Sequence, residues 1–387
     1  MKILIVSQTY DLKTNGQGVF VVHLAEGLAR AGERVSIAMP SQIGRPFKEE
    51  RNDVLVYGIR SVSLAPFYPE VFVTPFPGSQ VRQTIDWFQP DIIHIQDHYP
   101  LCSSATSQAI RRGLPLIGTN NFLPENIIDN VRLFSLFPGL FRRILWRTVL
   151  KVYNRLNLAT AATETAANIL REAGIRIPVV AISCGVDLGR FKANSGTERE
   201  LARQALGLSP CRVLFLYVGR LDKEKRLDVL IHALRLTGRE DIEIAIAGHG
   251  AEKNHLQSLV KRLDLEDQVK FLDFVPGSEL PTLLHSCDFF AMPSEAELQS
   301  LATLEALASG RPVLAARARA LPELVKHGRN GYLFRAGDAE DAAQGMLWLS
   351  KRLDQFEAMS AVSLAIAKPH DLPNTVRRYI ALYRSLI

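Results

Sequence analysis

Short, uninterrupted apolar runs recur along the chain, and this recurrence limits its fold more than any other feature. Ile3–Val6 and Val213–Val218 contain only aliphatic or aromatic residues, and each run is followed by a loop and then by a segment with helical periodicity. A strand that is apolar on both faces is typical of a parallel sheet covered by helices on both sides. Because strands and helices alternate in this way, the sequence predicts an α/β protein with parallel sheets.

The alternation occurs in two separate series. The first runs from Lys2 to Ala162, where Asn157–Ala162 is expected to be the last strand, and the second restarts at Arg212. At 387 residues the chain is long enough for two domains that each bury a core. We therefore expect two Rossmann-like, doubly wound domains, residues 1–180 and 181–369, with a last helix within residues 370–387.

A glycine-bearing loop, Thr14–Gly18, follows the first predicted strand. In the dinucleotide-binding fingerprint the glycines come directly after the strand, because the strand-to-helix turn itself approaches the pyrophosphate. Here they come about ten residues later. The sequence therefore disfavours a nicotinamide-dependent oxidoreductase.

Composition and cysteine spacing are those of an ordinary globular protein. The chain is 47% apolar and 22% charged, with a formal net charge of +6. Met1 and Lys2 lead directly into the first predicted strand, so no signal peptide is expected, and no apolar run approaches the roughly 20 residues of a membrane-spanning helix. The four cysteines are far apart and have no zinc-binding spacing. These features predict a cytoplasmic protein with reduced thiols.

One segment has an unusual distribution of charge. Between Asn130 and Thr163 there is no acidic residue, but there are six basic ones: Arg132, Arg142, Arg143, Arg147, Lys151 and Arg155. At about 100° per residue the last four form a stripe, and an apolar set lies opposite: Phe141, Leu145, Val149, Val152 and Leu156. One interpretation is an amphipathic helix with its basic face in water. The other is a surface, with Trp146 among its side chains, that binds anionic lipid.

Two glutamates, Glu297 and Glu305, lie eight positions apart between an apolar run and a helical segment that ends at Gly310. If the helix begins near Gln299, then Glu297 precedes it and Glu305 lies about two turns inside. Carboxylates at a strand-to-helix junction suit the hydroxyl groups of a ligand, whereas the exposed amides and the dipole of the helix suit an anion. The spacing by itself is also that of two solvated acids on a surface helix.

Cations and glycines follow two neighbouring strands of the second series. Gly219 and Arg220 end the run at Val218, Lys225 comes five residues later, and Gly248 follows the next predicted strand. Ligands of open α/β sheets bind at the carboxyl ends of the strands. An arginine fork and a lysine point charge there suit a diphosphate, and glycine permits close approach of the backbone. Surface charges without a ligand would give the same pattern.

In combination these motifs resemble those of the retaining GT-B enzymes of glycosyltransferase family 4, and the resemblance covers nearly the whole chain. The family's Glu-x7-Glu element is similar to Glu297–Glu305, and its Gly-Arg…Lys element to Gly219, Arg220 and Lys225. Three further segments match family motifs, namely the early glycine loop Asn15–Gly18, the turn Cys184–Asp187 and the run Gly328–Phe334.

The resemblance implies a role for each matching residue. Arg220 and Lys225 would bind the donor diphosphate and its developing charge, Glu305 the ribose and Glu297 the transferred sugar. Donor contacts are further implied at Gly16, Gly18, Gly219, Gly248 and the amides of Gln299, Ser300 and Leu301. It also implies a cleft between two Rossmann-like domains and a C-terminal helix that packs back on the first. A retaining reaction without a protein nucleophile or an essential metal is implied, with electrostatic stabilisation of the leaving group.

Two departures from the family pattern concern the site. Leu298–Ser300 replaces a Phe-Gly pair that many relatives carry, and Asn121 lies where a histidine near the acceptor is frequent. An asparagine amide carries no titratable proton. Either His98, at the preceding strand end, supplies the imidazole or none is required. His94 and His98 have a spacing that suits a metal on a helix, but they leave a strand, so a metal site is disfavoured.

The resemblance therefore implies a retaining, metal-independent glycosyltransferase without a cofactor, which uses a nucleotide sugar, with UDP-glucose the first candidate. The basic segment favours a lipid acceptor, such as diacylglycerol or a glycolipid, and a peripheral position at the inner face of the membrane; no nucleic-acid partner is expected. Two alternatives stay open. One is a transferase that builds capsule, glycan or soluble glycosides, and the other is a non-catalytic protein that binds a sugar nucleotide.

Overall fold

The structure, a computed structural model, describes residues 1–11, 16–64, 68–128, 136–193 and 196–387. Within these ranges the strands are β1 Lys2–Val6, β2 Arg34–Pro40, β3 Phe47–Arg51, β4 Val54–Ile59, β5 Val62–Leu64, β6 Tyr68–Val73, β7 Ile92–Ile95, β8 Leu116–Asn120, β9 Leu158–Ala161, β10 Val179–Ala181, β11 Val213–Val218, β12 Ile242–Ala247, β13 Val269–Asp273, β14 Phe289–Met292, β15 Val313–Ala316 and β16 Gly331–Phe334.

The α-helices are α1 Gly16–Arg30, α2 Gly78–Phe88, α3 Pro100–Arg112, α4 Glu125–Ile128, α5 Pro138–Tyr153, α6 Glu164–Ala173, α7 Gly196–Ala205, α8 Leu227–Thr237, α9 Lys253–Arg262, α10 Leu280–Ser286, α11 Leu301–Ala308, α12 Leu321–Leu324, α13 Ala339–Ser350, α14 Phe356–Ala367 and α15 Leu372–Arg384. Within the described ranges, short 3-10 helices cover Lys223–Lys225, Gly277–Glu279, Leu353–Gln355 and Lys368–His370. No helix of the described ranges combines the length and the apolarity that crossing a bilayer requires.

The chain forms two compact units. The first comprises Met1–Pro124, Phe137–Gly185 and Leu372–Ile387, and the second comprises Val186–Asp371 together with α4. The main division therefore falls after Gly185 rather than after residue 180, and β10 belongs to the first unit as a strand beyond Asn157–Ala162. That three-residue strand pairs in parallel with β9, and its sequence is too short to carry a periodic signal.

The first unit is built on an eight-stranded sheet with the order β10-β9-β8-β7-β1-β2-β4-β3. All neighbours pair in parallel except β3, which runs antiparallel to β4. The apolar runs predicted as strands are buried, as in β1, where Ile3–Val6 are at most 1% exposed. The direction of strand order reverses between β1 and β7, and ligands of doubly wound sheets bind at such a point, beyond the carboxyl ends of the strands.

The last helix, α15, packs within the first unit. A Cβ on Gly27 of α1 would lie 2.5 Å from Cγ2 of Val376, so glycine allows α1 and α15 to approach closely. The hydroxyl of Thr375 donates to the carbonyl oxygen of Ser183 at 3.0 Å, and Tyr379 and Tyr383 are fully buried. These contacts place the C-terminal helix against the N-terminal sheet and its helices.

The second unit contains a six-stranded parallel sheet with the order β13-β12-β11-β14-β15-β16. Counted from β11, this is the 3-2-1-4-5-6 order of the Rossmann fold, so the strand order reverses between β11 and β14. One large apolar core lies on both faces of the sheet, with β11 and β14 at its centre. The carboxyl ends of these two central strands carry the residues described next.

Candidate active site

Residues at the ends of β11 and β14 meet in the second unit, although they are far apart in the chain. The 3-10 helix after β11 carries Lys225, whose Nζ lies 2.6 Å from Oε1 of Glu297 in the loop after β14. The two side chains are 15% and 11% exposed. Two residues with separate predicted roles, one for phosphate and one for sugar, therefore form an ion pair at the switch point.

Arg220 is the second predicted phosphate ligand, and acidic side chains hold its guanidinium. Its Nη2 lies 3.1 Å from Oε1 of Glu224, its Nη1 pairs with Asp222, and the arginine side chain remains 43% exposed whereas that of Glu224 is 1% exposed. The hydroxyl of Tyr217 donates to the carbonyl oxygen of Arg220 at 2.7 Å. These bonds orient the guanidinium and leave part of its donor fork open to a ligand.

The glycines at the strand ends are required by the packing of the backbone. Gly219 and Gly248 have φ values of 155° and 135°, and a Cβ on Gly248 would lie 1.9 Å from the carbonyl oxygen of Gly219. The loops after β11 and β12 can therefore approach each other only if position 248 lacks a side chain. This explains Gly248 without a ligand, and its donor contact stays a prediction.

The helix after β14 begins at Leu301, two residues after the start near Gln299 from which the position of Glu305 was considered. Ser300 has φ 70° and ψ 88° and caps α11, its hydroxyl accepting from the amide of Thr303 at 3.4 Å. A residue in the left-handed region is not part of a right-handed helix, so Ser300 stays outside α11. Glu305 therefore lies little more than one turn inside α11, and the uncovered first amides begin at Leu301.

Glu305 occupies an unusual environment for a carboxylate. Burial raises its pKa from the ordinary value of 4.5 to about 7, and the positive charge of Arg190 opposes this rise. Among the described residues nothing forms a hydrogen bond with its carboxylate, whereas the guanidinium of Arg190 donates to the carbonyl oxygen of Gly277. A half-buried carboxylate without a partner is costly, and ligand hydroxyl groups would satisfy it.

The residues between the two glutamates are less exposed than expected for ligand contacts. Gln299 is 3% exposed, and its Nε2 lies 3.5 Å from Nδ1 of His370. Ser300 is 8% exposed and Leu301 is half-buried. Their side chains thus shape the loop, and donor contacts through their backbone amides stay a prediction.

In the first unit, the predicted glycine loop is the start of a helix. Gly16 and Gly18 lie in the first turn of α1, whereas Asn15 lies outside the described residues. The expectation of a loop at these two glycines was wrong, because the apolar period of Val19–Ala31 extends backwards without a breaker other than glycine. Gln17, between them, donates from Nε2 to the carbonyl oxygen of Gln96 at 3.3 Å.

The predicted acceptor residues lie after β7 and β8 of the first unit. Nδ2 of Asn121 donates to Oε1 of Gln96 at 3.4 Å. The ring of His98 stacks on Tyr99, with centroids 4.7 Å apart, and lies 4.9 Å from that of Phe122. Burial lowers the pKa of His98 to about 4, so its imidazole is neutral at pH 7. Its Nδ1 is buried and has no hydrogen-bond partner in the described ranges.

Several residues of these two sites were missed by sequence reasoning. Glu224 pairs with Arg220, and the positive charge of Arg190 acts on Glu305, but no motif marks Glu224 or Arg190. Gln96 and Asp97 directly precede His98, and the carboxylate of Asp97 accepts from the amides of Gln8 and Tyr99 at 2.7 and 3.0 Å. Their position at a predicted strand end was the available signal, because the carboxyl edge of such a sheet forms the ligand site.

The predicted membrane surface lies on α5, and the structure changes its composition. The side chains of Arg142, Arg143, Arg147, Lys151 and Arg155 are exposed, although Arg155 follows the helix and donates to Oγ of Ser107 at 3.2 Å. Trp146 is half-buried and packs against the core, 6.4 Å from the ring of Phe122, so its contact with lipid stays a prediction. Other apolar side chains are exposed instead: Leu136 at 65%, Phe137 at 63%, Leu140 at 57% and Ile144 at 43%.

No group of three or more His, Cys, Asp or Glu side chains arranged to hold a metal ion occurs in the part of the chain that the structure describes. Both ring nitrogens of His94 are engaged, Nδ1 with the hydroxyl of Tyr383 and Nε2 with that of Thr119, each at 2.7 Å. Because both of its ring nitrogens form hydrogen bonds within the fold, His94 has a structural role.

Comparison with known proteins identifies the family. The family model of glycosyltransferase family 4 matches residues 14–190, and that of the glycosyl transferases group 1 matches residues 198–361. The chain is 30% identical over 370 residues to the D-inositol 3-phosphate glycosyltransferase 2 of Catenulispora acidiphila. The aligned region covers 88% of this chain and 84% of that relative. The chain belongs to glycosyltransferase family 4.

Two further comparisons bear on this family 4 glycosyltransferase. A GDP-mannose-dependent alpha-mannosyltransferase of Corynebacterium glutamicum is 27% identical over 88% of this chain and 78% of that protein. The crystal structure of Anabaena HepE in complex with UDP-glucose has a TM-score of 0.80 at 22% identity and covers 100% of both chains. The likeness confirms the predicted GT-B fold class, in which both domains are Rossmann-like.

Proposed function

We propose that this family 4 enzyme is a retaining glycosyltransferase that moves a hexose, with glucose from UDP-glucose the first candidate, to a hydroxyl group of a membrane lipid such as diacylglycerol or a glycolipid. The observation that carries the donor site is the ion pair of Lys225 and Glu297 at the second unit's switch point, together with Arg220 at the end of β11 and the carboxylate of Glu305 on α11, which has no hydrogen-bond partner among the described residues. Cations and an unsatisfied carboxylate together suit a ligand that combines a diphosphate with hydroxyl groups.

The ion pair between Lys225 and Glu297 supports this assignment of roles. At 2.6 Å, Nζ of Lys225 neutralises Glu297 in the unliganded protein. A donor diphosphate would compete for the ammonium group, and the carboxylate would then be free to accept from sugar hydroxyls. The fork of Arg220 would bind the same diphosphate and stabilise the charge that develops as the glycosidic bond breaks. We propose that Glu305 accepts hydrogen bonds from the ribose.

Retention of configuration and independence of a metal are parts of the proposal. With Arg220, Lys225 and the first amides of α11 around the leaving diphosphate, protein cations and dipoles would take over the charge compensation that a divalent ion provides elsewhere. Activity in the presence of excess EDTA, with an α-linked product from an α-linked donor, is the expected result. Loss of activity in EDTA that Mg²⁺ or Mn²⁺ restores would contradict metal independence.

The donor is tested by its effect on thermal unfolding. A ligand that binds only the folded state stabilises it by about 2.7 kcal/mol at 100 times its Kd. We expect UDP-glucose and UDP to raise the Tm, and Lys225→Met and Glu305→Gln to reduce that rise. HepE is bound to UDP-glucose, whereas the Corynebacterium relative is named for GDP-mannose, so GDP-mannose and GDP complete the panel. A shift with the guanine pair alone would contradict the UDP assignment.

The α5 surface carries the proposal of a lipid acceptor. Its exposed arc combines three basic residues, Arg143, Arg147 and Lys151, with Leu140 and Ile144, all five at helical spacings that place them on one side, and the exposed Phe137 directly precedes the helix. Apolar side chains beside basic ones on an exposed helix face are typical of a helix that lies in the membrane interface. We infer a peripheral position at the cytoplasmic face, where anionic lipids attract basic side chains.

Sedimentation with vesicles tests this surface. We expect binding to phosphatidylglycerol-containing vesicles at low salt, because exposed charges are weakly screened there, and release at about 0.5 M salt. Reversing two charges, as in Arg143→Glu with Arg147→Glu, is expected to weaken binding more than about tenfold, since each basic residue contributes roughly 1 kcal/mol. The matched control reverses Lys261 and Arg262, two exposed cations on α9. Absence of binding at low salt would contradict the lipid assignment.

A second candidate function is supported by the Catenulispora relative, whose name specifies D-inositol 3-phosphate. In that case the acceptor is soluble, and transfer occurs without vesicles.

A non-catalytic, nucleotide-binding role is the remaining alternative. Transfer and nucleotide binding are measured for the unmodified protein and for Glu305→Ala. If the variant loses both transfer and nucleotide binding, the protein is an enzyme. If the unmodified protein binds the nucleotide but shows no transfer, the binding role is supported.

A further inference from the structure

A chain of buried hydrogen bonds connects α15 to the carboxyl edge of the first unit's sheet. It begins at the hydroxyl of Tyr383, 2.7 Å from Nδ1 of His94 on β7. Nε2 of His94 lies 3.1 Å from Nε2 of Gln96, and Oε1 of Gln96 lies 3.4 Å from Nδ2 of Asn121. Tyr383, His94 and Gln96 are all 0% exposed, and Asn121 is half-buried at the outer end.

The atoms at each step fix the direction of the chain. An amide nitrogen can only donate, so Nε2 of His94 must accept from Gln96. A neutral imidazole carries its proton on one nitrogen only, which places it on Nδ1, where it donates to the oxygen of Tyr383. Burial lowers the pKa of His94 to about 3, so the ring stays neutral at working pH and only its tautomer can vary.

Neighbouring hydroxyl groups favour the same tautomer. Oγ1 of Thr119 is 2.7 Å from Nε2 of His94 and also 2.7 Å from the hydroxyl of Thr160. The hydroxyl of Tyr379 lies 3.1 Å from both threonine oxygens. Because Thr160 and Tyr379 can donate to Thr119, its own proton is available for Nε2 of His94. Two tyrosines of α15 thus act on the two sides of one imidazole.

The outer end of the chain determines which atom Asn121 presents. Since its Nδ2 donates to Gln96, its Oδ1 is left to accept a further hydrogen bond. A carbonyl oxygen at this position attracts a hydroxyl donor and repels a phosphate oxygen. If the proton of His94 moved to Nε2, Gln96 would have to turn its oxygen toward the ring, and Asn121 would have to turn its oxygen toward Gln96.

We propose that Tyr383, His94 and Gln96 are positioning residues that hold the carboxamide of Asn121 with its oxygen toward the acceptor substrate, where it accepts from a neutral hydroxyl group. This inference rests on the proposed function and on an acceptor that lies next to Asn121, where the family pattern has a histidine near the acceptor. The titratable histidine of the family pattern is thereby replaced by a fixed acceptor atom. The chain selects the hydroxyl group of a lipid or sugar over a phosphorylated end.

The first test measures the tautomer and needs no substrate. Nitrogen-15 NMR of histidine-labelled protein is expected to show the Nδ1–H form of His94, with the signal assigned by its loss in His94→Gln. Tyr383→Phe removes the acceptor of that proton, so the ring is expected to change to the Nε2–H form and to donate to Thr119. Tyr379→Phe, a matched control on the same helix, is expected to keep the Nδ1–H form, because Thr160 can still donate to Thr119 at 2.7 Å. An Nε2–H form in the unmodified protein overturns the proposal.

The second test measures transfer from UDP-glucose to diacylglycerol-containing vesicles. Loss of one oriented hydrogen bond corresponds to roughly a tenfold change, so Tyr383→Phe and Asn121→Ala are each expected to raise the acceptor KM on the order of tenfold. The shift in Tm caused by UDP should stay unchanged. In an Asn121→Ala background, Tyr383→Phe should have no further effect. If Tyr383→Phe raised the acceptor KM as much in that background as in the unmodified protein, Tyr383 would have a structural role and the proposal would be overturned.

The two tests separate this inference from the proposed function. If no donor and acceptor pair gives transfer, the proposed function fails, whereas the tautomers of the three proteins are measured all the same. If transfer occurs and the tautomer is Nε2–H, only the positioning chain is refuted.

Discussion

Replacing Glu305 with glutamine is expected to stabilise the unliganded protein, although it removes a residue of the proposed donor site. The carboxylate has no hydrogen-bond partner among the described residues, and burial raises its pKa from 4.5 to about 7. A group whose pKa is raised on folding contributes stability below its unfolded value and loses that contribution as the pH rises through the folded value. The ionised form at pH 8 is therefore a cost that glutamine does not carry.

The magnitude follows from the two pKa values. With 4.5 in the unfolded chain and about 7 in the folded protein, the free energy of unfolding falls by about 2–3 kcal/mol between pH 5 and pH 8 through this group. Glutamine, which has a similar shape and no charge, should abolish this part of the pH dependence. For a unit of this size, 1 kcal/mol corresponds to about 2–4 °C in Tm, so the variant should melt about 5–10 °C higher at pH 8.

The assay compares the Tm of Glu305→Gln with that of the unmodified protein at pH 5 and at pH 8, with and without UDP. At pH 5 the two unliganded proteins should melt within a few degrees of each other, because the folded carboxyl group is mostly protonated. Added UDP should raise the Tm of the unmodified protein more than that of the variant. Stability and donor affinity thus change in opposite directions, as expected where a site is kept unsatisfied for its ligand.

Glu297→Gln is the matched control. This glutamate is paired with Lys225 at 2.6 Å, so its replacement leaves a mostly buried ammonium group with a weaker partner and should lower the Tm. The reasoning about Glu305 is refuted if Glu305→Gln does not exceed the unmodified protein at pH 8, or if it is stabilised equally at both pH values.

Three other perturbations test the structure of the second unit. Arg203, 3% exposed, pairs with Asp288 at 2.6 Å, so Arg203→Met should lower the free energy of unfolding by about 3–5 kcal/mol in urea titrations; a loss under 1 kcal/mol would contradict a buried pair. Gly248→Ala should destabilise by more than about 2 kcal/mol because of its positive φ and backbone contact, whereas Gly328→Ala, with a positive φ but open space, should cost about 1 kcal/mol. Lys225→Met should weaken UDP-glucose binding at least tenfold in calorimetry, and unchanged affinity would remove Lys225 from the donor site.

Local sequence predicted the parts of the fold that depend on local burial. Strands such as Ile3–Val6 and Val213–Val218 are apolar on both faces because helices cover both sides of each sheet, and that property is visible in a few consecutive residues. The exact start of α11 depends on Ser300, which adopts a left-handed conformation that no pattern of apolar residues encodes. The half-burial of Trp146 was not predictable, because sequence gives the spacing of a helix but not the depth at which each side chain meets the core.

The residues of the candidate site can also be divided into properties that local sequence predicts and contacts that depend on tertiary packing. The types of residue at the strand ends, cations after β11 and glutamates around the start of α11, were predictable, because a doubly wound sheet places its ligand there. The pairing of Lys225 with Glu297, the field of Arg190 at Glu305 and the contact of Tyr383 with His94 join residues that are distant in the chain. Only tertiary packing sets such distances and burial, and these decide whether a carboxylate is ionised and which atom an amide presents.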